Sequence, residues 1–253
     1  MKQPITSGVI VTGGASGIGK ACAEYLAEAG RPVAVWDLNG GAAKQVADSL
    51  GVPAVGLEVD VANEQALFDA VAATREALPS IGGLVHSAGM VDPSPIGFID
   101  WARWQRLLDI NLTAHARIVQ LILPDLVAAM PGSAVVGIAS IEGIIGHGAI
   151  PSYCASKAGL IGLTRSLADA LGPQGVRANA VCPGYIRTPM LPSTPEMDER
   201  NISASVLRRM GQPEEIAGVV RFLLSADASF ITGQAIVADG GVTAVDQPLN
   251  LPS

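Results

Sequence analysis

Cysteine is scarce and scattered. Cys22, Cys154 and Cys182 are odd in number, and no two of them form a CxxC pair. That argues against a disulfide framework or a thiolate metal site, and no metal ligand set is evident elsewhere. Buried free thiols in a reducing compartment are the ordinary expectation. Positive charge is also short: 16 Lys and Arg against 23 Asp and Glu give a net charge of −7. No basic cluster offsets it, so nucleic acid is excluded as a partner. Long apolar runs are missing as well. The longest uncharged stretch, residues 3–19, carries five glycines and cannot form a membrane span. The opening MKQPITSGVIVTGG turns glycine-rich too soon for a signal peptide, and a cytoplasmic protein is expected.

What remains is a globular composition: 49% hydrophobic, 15% charged, mean hydropathy +0.39. A chain of 253 residues buries about 70–75% of its unfolded surface, enough for a full core. The low charged fraction also suggests that some apolar surface is covered in an oligomer.

Short apolar runs alternate with amphipathic segments. Strands are expected at 8–12, 31–37, 52–60, 83–86, 133–140, 176–182 and 234–241. Helices are expected at 17–29, 41–50, 63–77, 101–130, 151–171 and 213–225, with Pro124 bending the fourth and Gly172-Pro173 ending the fifth. Strands that are apolar throughout belong to a sheet buried on both faces. Alternating β and α then give a doubly wound parallel sheet of about seven strands, α/β and Rossmann-like. No linker or repeat divides the chain, so residues 1–253 form a single domain. Residues 183–212, with Pro183, Pro189, Pro192 and Pro195, read as an irregular loop of the kind that forms a lid over a site.

After the first strand comes Thr12-Gly13-Gly14-Ala15-Ser16-Gly17-Ile18-Gly19, opening a helix. Free N–H groups and the helix dipole make such a start an anion site, and glycines let a pyrophosphate approach. The plain alternative is a glycine-rich turn without a ligand. Asp37 closes the second strand, 24 residues after Gly13. A carboxylate there accepts hydrogen bonds from both ribose hydroxyls of NAD and repels a 2′-phosphate. Leu38 and Asn39 follow it with no cation, so NAD is favoured over NADP; a solvated turn aspartate is the alternative.

Tyr153 and Lys157 stand four apart on a helix and share a face, with Ser140 at the end of the preceding strand. A phenol with its ordinary pKa near 10 is a poor base at neutrality. Lowering it by about 3 pH units requires about 4 kcal/mol of differential stabilisation, much of which one close ammonium can supply.

These motifs together resemble the short-chain dehydrogenase/reductase family, in its short single-domain form. The matches are Thr12-Gly13-x3-Gly17-x-Gly19, Asp60, Ala88-Gly89, Asn111, Ser140, Tyr153-x3-Lys157 and Pro183-Gly184, with 13 residues from Ser140 to Tyr153. They run through essentially the whole chain. The resemblance implies an NAD(H)-dependent oxidoreductase that interconverts a secondary alcohol and its ketone. Tyr153 would be the general acid/base and Ser140 would bind the substrate oxygen. Lys157 would lower the tyrosine pKa and hold the nicotinamide ribose, and Asn111 would hold a relay water. Gly13, Ser16, Gly17, Ile18 and Gly19 would cradle the pyrophosphate, and Asp37 and Leu38 the adenosine ribose. Asp60 and Val61 would flank the adenine, and Ala88 and Gly89 would border the ribose. Pro183 and Gly184 would lead to Ile186 and Thr188, which would hold the carboxamide. Asn111 as an ordinary helix residue and Thr188 as a helix cap are the plainer alternatives. One departure is visible: His86-Ser87 stands where the family has Asn-Asn. His86 either replaces those hydrogen bonds or simply packs.

By position, Ile141, Glu142, His147, Tyr185 and Met190 would line the substrate pocket, with an apolar wall from Leu191 and Met197. Glu142 reads as a solvated or helix-capping carboxylate rather than a second base. Ser140-Ile141-Glu142-Gly143 resembles a segment of hydroxysteroid-type members, which points to a cyclic, aryl or steroid-like alcohol. A ketoacyl-type reductase and a non-catalytic NAD-binding sensor compete with this reading. The family also implies a homotetramer built on helices near 101–130 and 151–171 and on the last strand, with the tail after Gly241 reaching a neighbour.

Overall fold

A computed structural model describes residues 5–191 and 194–246. The first four residues, Pro192 and Ser193, and the end of the tail from 247 onward lie outside the described residues.

Seven strands form one parallel sheet: β1 (Gly8–Thr12), β2 (Val33–Asp37), β3 (Ala54–Glu58), β4 (Ile81–His86), β5 (Ala134–Ile138), β6 (Arg177–Pro183) and β7 (Ala235–Ala238). Their order is β3-β2-β1-β4-β5-β6-β7. Alternate strand residues enter separate cores, which is why the strands read as apolar throughout. Val9 and Val11 face one side and Ile10 the other; Val33 and Val35 oppose Ala34 and Trp36.

The first side is covered by α1 (Gly17–Glu28), α2 (Gly40–Ser49) and α8 (Pro213–Leu223) through Cys22, Leu26, Val46, Ile216 and Val220. The second is covered by α3 (Glu64–Ala77) and α5 (Ala114–Ala128) through Leu67, Val71, Ile118, Ile122 and Leu126. Several helices start where a side chain accepts a backbone N–H: Asn39 from Ala42, Asn63 from Ala66 and Asp100 from Ala102. Among the described residues, no helix is long and apolar enough to cross a membrane.

Two expectations are corrected. The region 101–130 is not one helix bent at Pro124. It comprises α4 (Trp101–Leu108), one wide π turn over Asp109–Thr113, and α5, which carries Pro124 inside it. The irregularity lies at Asn111, where a π turn re-aims a side chain. The region 183–212 is not all loop, since it contains α7 (Pro195–Ala204). Thr194 accepts the Met197 N–H, Pro195 occupies the first turn, and Glu196 and Asp198 meet the positive end of the helix dipole. The remaining helix, α6 (Pro151–Leu171), has the expected bounds.

The strand order turns back between β1 and β4. The loops leaving their carboxyl ends therefore diverge and leave a crevice. Those loops are Gly13–Ser16 and Ser87–Gly89.

Candidate active site

The crevice floor is tied together by Thr12. Its hydroxyl oxygen accepts the N–H groups of Ser87 (3.2 Å) and Ala88 (3.1 Å) and lies 3.0 Å from His86 Nδ1. His86 Nε2 is 3.0 Å from the Ile110 carbonyl, which can only accept, so Nε2 carries the hydrogen and Thr12 donates to Nδ1. His86 thus links β1, β4 and the π turn as a neutral imidazole. Its burial, together with nearby His115 and Lys157, holds its pKa well below the ordinary value. The histidine therefore makes hydrogen bonds and does not simply pack.

Backbone crowding makes the glycine loop. Gly13 has φ +63°, and a Cβ there would lie 2.8 Å from the Ala88 nitrogen. A Cβ on Gly19 would strike the Gly13 carbonyl. Ser16, exposed at the N-cap of α1, makes no capping hydrogen bond, so its hydroxyl and the first N–H groups of α1 remain available to an anion. Asp37 accepts Ala15 N–H (3.1 Å) and Asn39 N–H (2.9 Å), which fixes its carboxylate beside the loop. Leu38 is exposed, Ile18 half-buried and Val61 buried. Asp60 accepts Ala62 N–H (3.0 Å) and pairs with Arg106 at 2.8 Å.

Across the crevice, Pro183 ends β6, and Gly184 N–H donates to Ala238 O (3.1 Å). Ile186 is buried and bridges to Gly211. Thr188 does not cap a helix; a Cβ on Gly17 would lie 3.3 Å from its methyl group, so it closes over the loop.

The catalytic candidates converge at the carboxyl edge. Ser140 lies two residues beyond the end of β5, and Tyr153 and Lys157 lie on the first two turns of α6. Lys157 is buried; its ammonium donates to Ile138 O at 2.7 Å and lies 5.5 Å from the Tyr153 ring centre. A Cβ on Gly89 would lie 3.7 Å from Lys157 Nζ and 3.9 Å from Met190 Cε, which places the β4 loop and Met190 beside it. Asn111 is not an ordinary helix residue. Fully buried, it clamps Met90 through N–H···Oδ1 (2.8 Å) and Nδ2–H···O (2.9 Å), and donates to Ser156 Oγ (3.1 Å).

The electrostatics differ from the expectation for Lys157. Burial pushes Tyr153 up to about 12, opposed in part by Ser140 and reinforced by the Glu142 charge. Burial brings Lys157 down to about 8. In this state burial prevails over the Ser140 hydrogen bond, and Tyr153 rests as a phenol.

Of the substrate-side candidates, Ile141 is fully buried, so it packs behind the crevice and does not line it. Tyr185 and His147 are half-buried, and Met190 is exposed. Glu142 is neither freely solvated nor only a cap: the Ser140 hydroxyl donates to its carboxylate. Sequence reasoning missed Ser156, which passes the Asn111 contact to the Tyr153 carbonyl at 2.8 Å. A hydroxyl on the buried face of α6 was its only signal. It also missed His115, whose ring centre lies 5.3 Å from that of His86 and whose pKa burial lowers to about 4.

Comparison with known proteins agrees with this geometry. The family described as enoyl-(acyl carrier protein) reductase matches residues 13–243. An uncharacterized short-chain type dehydrogenase/reductase of Sinorhizobium fredii is 39% identical over 246 residues; these cover 95% of this chain but only 44% of that longer protein. A cis-4-hydroxycyclohexanecarboxylate dehydrogenase of Sinomonas cyclohexanicum is 39% identical, covering 93% of this chain and 96% of its own. A crystal structure of a short-chain type dehydrogenase/reductase from Mycobacterium marinum superposes with TM-score 0.89 at 32% identity, covering 95% of this chain and 96% of that one. On its motifs, its strand order and these relatives, the chain belongs to the short-chain dehydrogenase/reductase family.

Proposed function

We propose that this protein is an NAD(H)-dependent oxidoreductase that interconverts a cyclic, aryl or steroid-like secondary alcohol and its ketone, with Tyr153 as general acid/base. The observation that carries the reading is the meeting of Ser140, Tyr153 and Lys157 at the carboxyl edge of the sheet, beside the glycine loop.

The residues present fit a dinucleotide. The close approach of the Gly13 backbone to Ala88, the unspent Ser16 hydroxyl and the start of α1 suit a pyrophosphate. Each Asp37 oxygen keeps a lone pair beyond its backbone contact and would take the adenosine ribose hydroxyls. No cation follows Asp37 to hold a 2′-phosphate, which supports NAD. Asp60 and Val61 would border the adenine, Ala88 and Gly89 the ribose, and Ile186 and Thr188 the carboxamide. Bound there, the nicotinamide would supply or accept the hydride and, when oxidised, add a positive charge.

Tyr153 takes the hydroxyl proton in oxidation and returns it in reduction. Ser140 orients the substrate oxygen. Lys157 carries its charge below pH about 8, holds the ribose, and passes protons toward Asn111. Tyr185, His147 and Met190 border the substrate.

The matching family's description favours a second reading, a reductase of acyl thioesters. Turnover separates the two. Secondary alcohols with NAD at mildly alkaline pH should yield reduced cofactor, and NADP should serve much less well. A preference for NADP would overturn the Asp37 argument and favour the thioester reading. We also propose a homotetramer, since Phe98 (82%), Trp101 (69%) and Phe230 (101%) are exposed. A monomer by light scattering would contradict it.

A further inference from the structure

The loops after β2 and β3 are joined through their backbones. Val59 N–H donates to the Asp37 carbonyl at 2.8 Å, so Asp60 stands next to a residue bonded to the ribose candidate. The chain then turns: Asn63 N–H donates to Asp60 O at 2.9 Å, and Ala62 N–H to Asp60 Oδ1 at 3.0 Å. The turn therefore holds one carboxylate oxygen. The other is held from a distant segment. Arg106 Nη2, on the last turn of α4, donates to Asp60 Oδ2 at 2.8 Å. Among the described residues no other cation pairs with Asp60. The helix that presents Arg106 is itself anchored. Asp100 accepts the first N–H groups of α4, from Ala102 and Arg103. Arg103, three residues before Arg106 and so on the same side of the helix, donates to buried Asp92 at 2.8 Å on the segment after β4.

Resting on the place given to adenine at Asp60 and Val61, we propose that Arg106 is a positioning residue for the base: it fixes the Asp60 carboxylate so that the site takes a 6-amino purine and refuses a 6-oxo purine. An ionised carboxylate accepts at about four sites and donates none. Ala62 and Arg106 occupy one site on each oxygen. The remaining lone pairs suit the amino hydrogens of adenine and oppose a carbonyl oxygen. The guanidinium also offsets the Asp60 charge, which would otherwise repel the pyrophosphate of the same cofactor. Both side chains are partly exposed, 43% for Arg106 and 32% for Asp60. A pair so exposed contributes little to folding, so its replacement leaves the protein folded and its effect falls on the bound base.

The test is titration calorimetry of NADH and of reduced nicotinamide hypoxanthine dinucleotide, whose base carries a 6-oxo group. It uses wild type, Arg106→Leu, Arg106→Lys and Asp60→Ala, and needs no substrate. Wild type should bind NADH about tenfold more tightly than the analogue. Asp60→Ala should bind the two alike. Arg106→Leu should lose most of the preference, because NADH binds several-fold more weakly while the analogue does not. Arg106→Lys should restore most of it, since the contact uses one N–H and an ammonium supplies one. Full preference in Arg106→Leu, with none in Asp60→Ala, would overturn the role of Arg106 and leave adenine at Asp60. Equal weakening of both dinucleotides by Arg106→Leu would mean a structural role and would overturn the proposal as well. Wild type that binds the two alike would overturn the placing of adenine at Asp60 itself.

Discussion

At the amino ends of the strands, two arginines lie against the end of α8. Arg31 donates to Ser7 O (2.8 Å), Ser7 Oγ (3.1 Å) and Leu224 O (3.2 Å), and Arg177 donates to Leu223 O (2.7 Å), Ser225 O (3.2 Å) and Ile231 O (3.3 Å). At the carboxyl ends, Lys157 is buried like Arg31, but among the described residues it makes one hydrogen bond, to Ile138 O, and His115 Nδ1 has no partner. The first set spends its donors on backbone carbonyls and the Ser7 hydroxyl, three of those carbonyls at the negative end of α8, where cations are favoured. Its guanidinium stays charged even though burial and Arg177 bring Arg31 down to about 10. The second set leaves donors and acceptors unspent. Buried polar groups without partners cost stability, and a fold retains such a cost where a ligand can use them. The arginines at one edge hold the sheet together, and the unspent groups around Lys157 and His115 at the other are where a guest can bind.

The strongest way to break this contrast is Lys157→Met. We expect turnover to fall about 10³-fold. Without ligand, the same change should not destabilise the fold at pH 7 as a buried anchor's loss would. The sign follows from Lys157, whose folded pKa of about 8 lies below the unfolded value near 10.4. Below pH 8 both states carry the proton and the burial penalty is fully present. Between about pH 8 and 10 the unfolded state binds more protons, and wild type gains stability as pH rises, on the order of 3 kcal/mol. Denaturant midpoints across that range should rise for wild type relative to Lys157→Met; parallel curves would show that the lysine is not held at a cost.

Arg31→Met should do the opposite. It leaves Leu224 O and Ser7 O without partners and should cost about 2–4 kcal/mol in urea unfolding, with turnover per folded molecule unchanged. A smaller effect is expected from His86→Asn, the residue pair's usual form in the family. Because the folded pKa of His86 lies well below 6.5, the unfolded state protonates first as pH falls, and stability is lost on acidification. The asparagine variant should keep more of its stability between pH 6.5 and 5 and match wild type at pH 7. An identical acid limb in both would remove the neutral, buried histidine from the account.

Much of the architecture was legible because both faces of each strand are buried, so apolar runs such as GVIVT and RPVAVWD announce a doubly wound sheet. The Tyr153–Lys157 pair and the glycine loop were legible because local spacing alone sets their geometry. The π turn at Asn111 was not, since it is one turn within a long helical region and is tied to contacts with Met90 and Ser156 from other segments. The start of α7 was hidden by counting Pro195 as a loop residue, although Thr194-Pro195-Glu196 is a helix start. The grip of Ser140 on Glu142 depends on the tight turn that follows Ser140, and the high resting pKa of Tyr153 on burial, neither of which spacing alone reveals.

The most direct test compares wild type with Tyr153→Phe on one secondary alcohol, with NAD binding measured in parallel by ligand-induced thermal shift. The account predicts equal stabilisation by NAD and a loss of about 10³-fold in kcat for the variant. Undiminished kcat, or loss of NAD binding along with activity, would contradict the assignment of Tyr153 as the group that moves the proton.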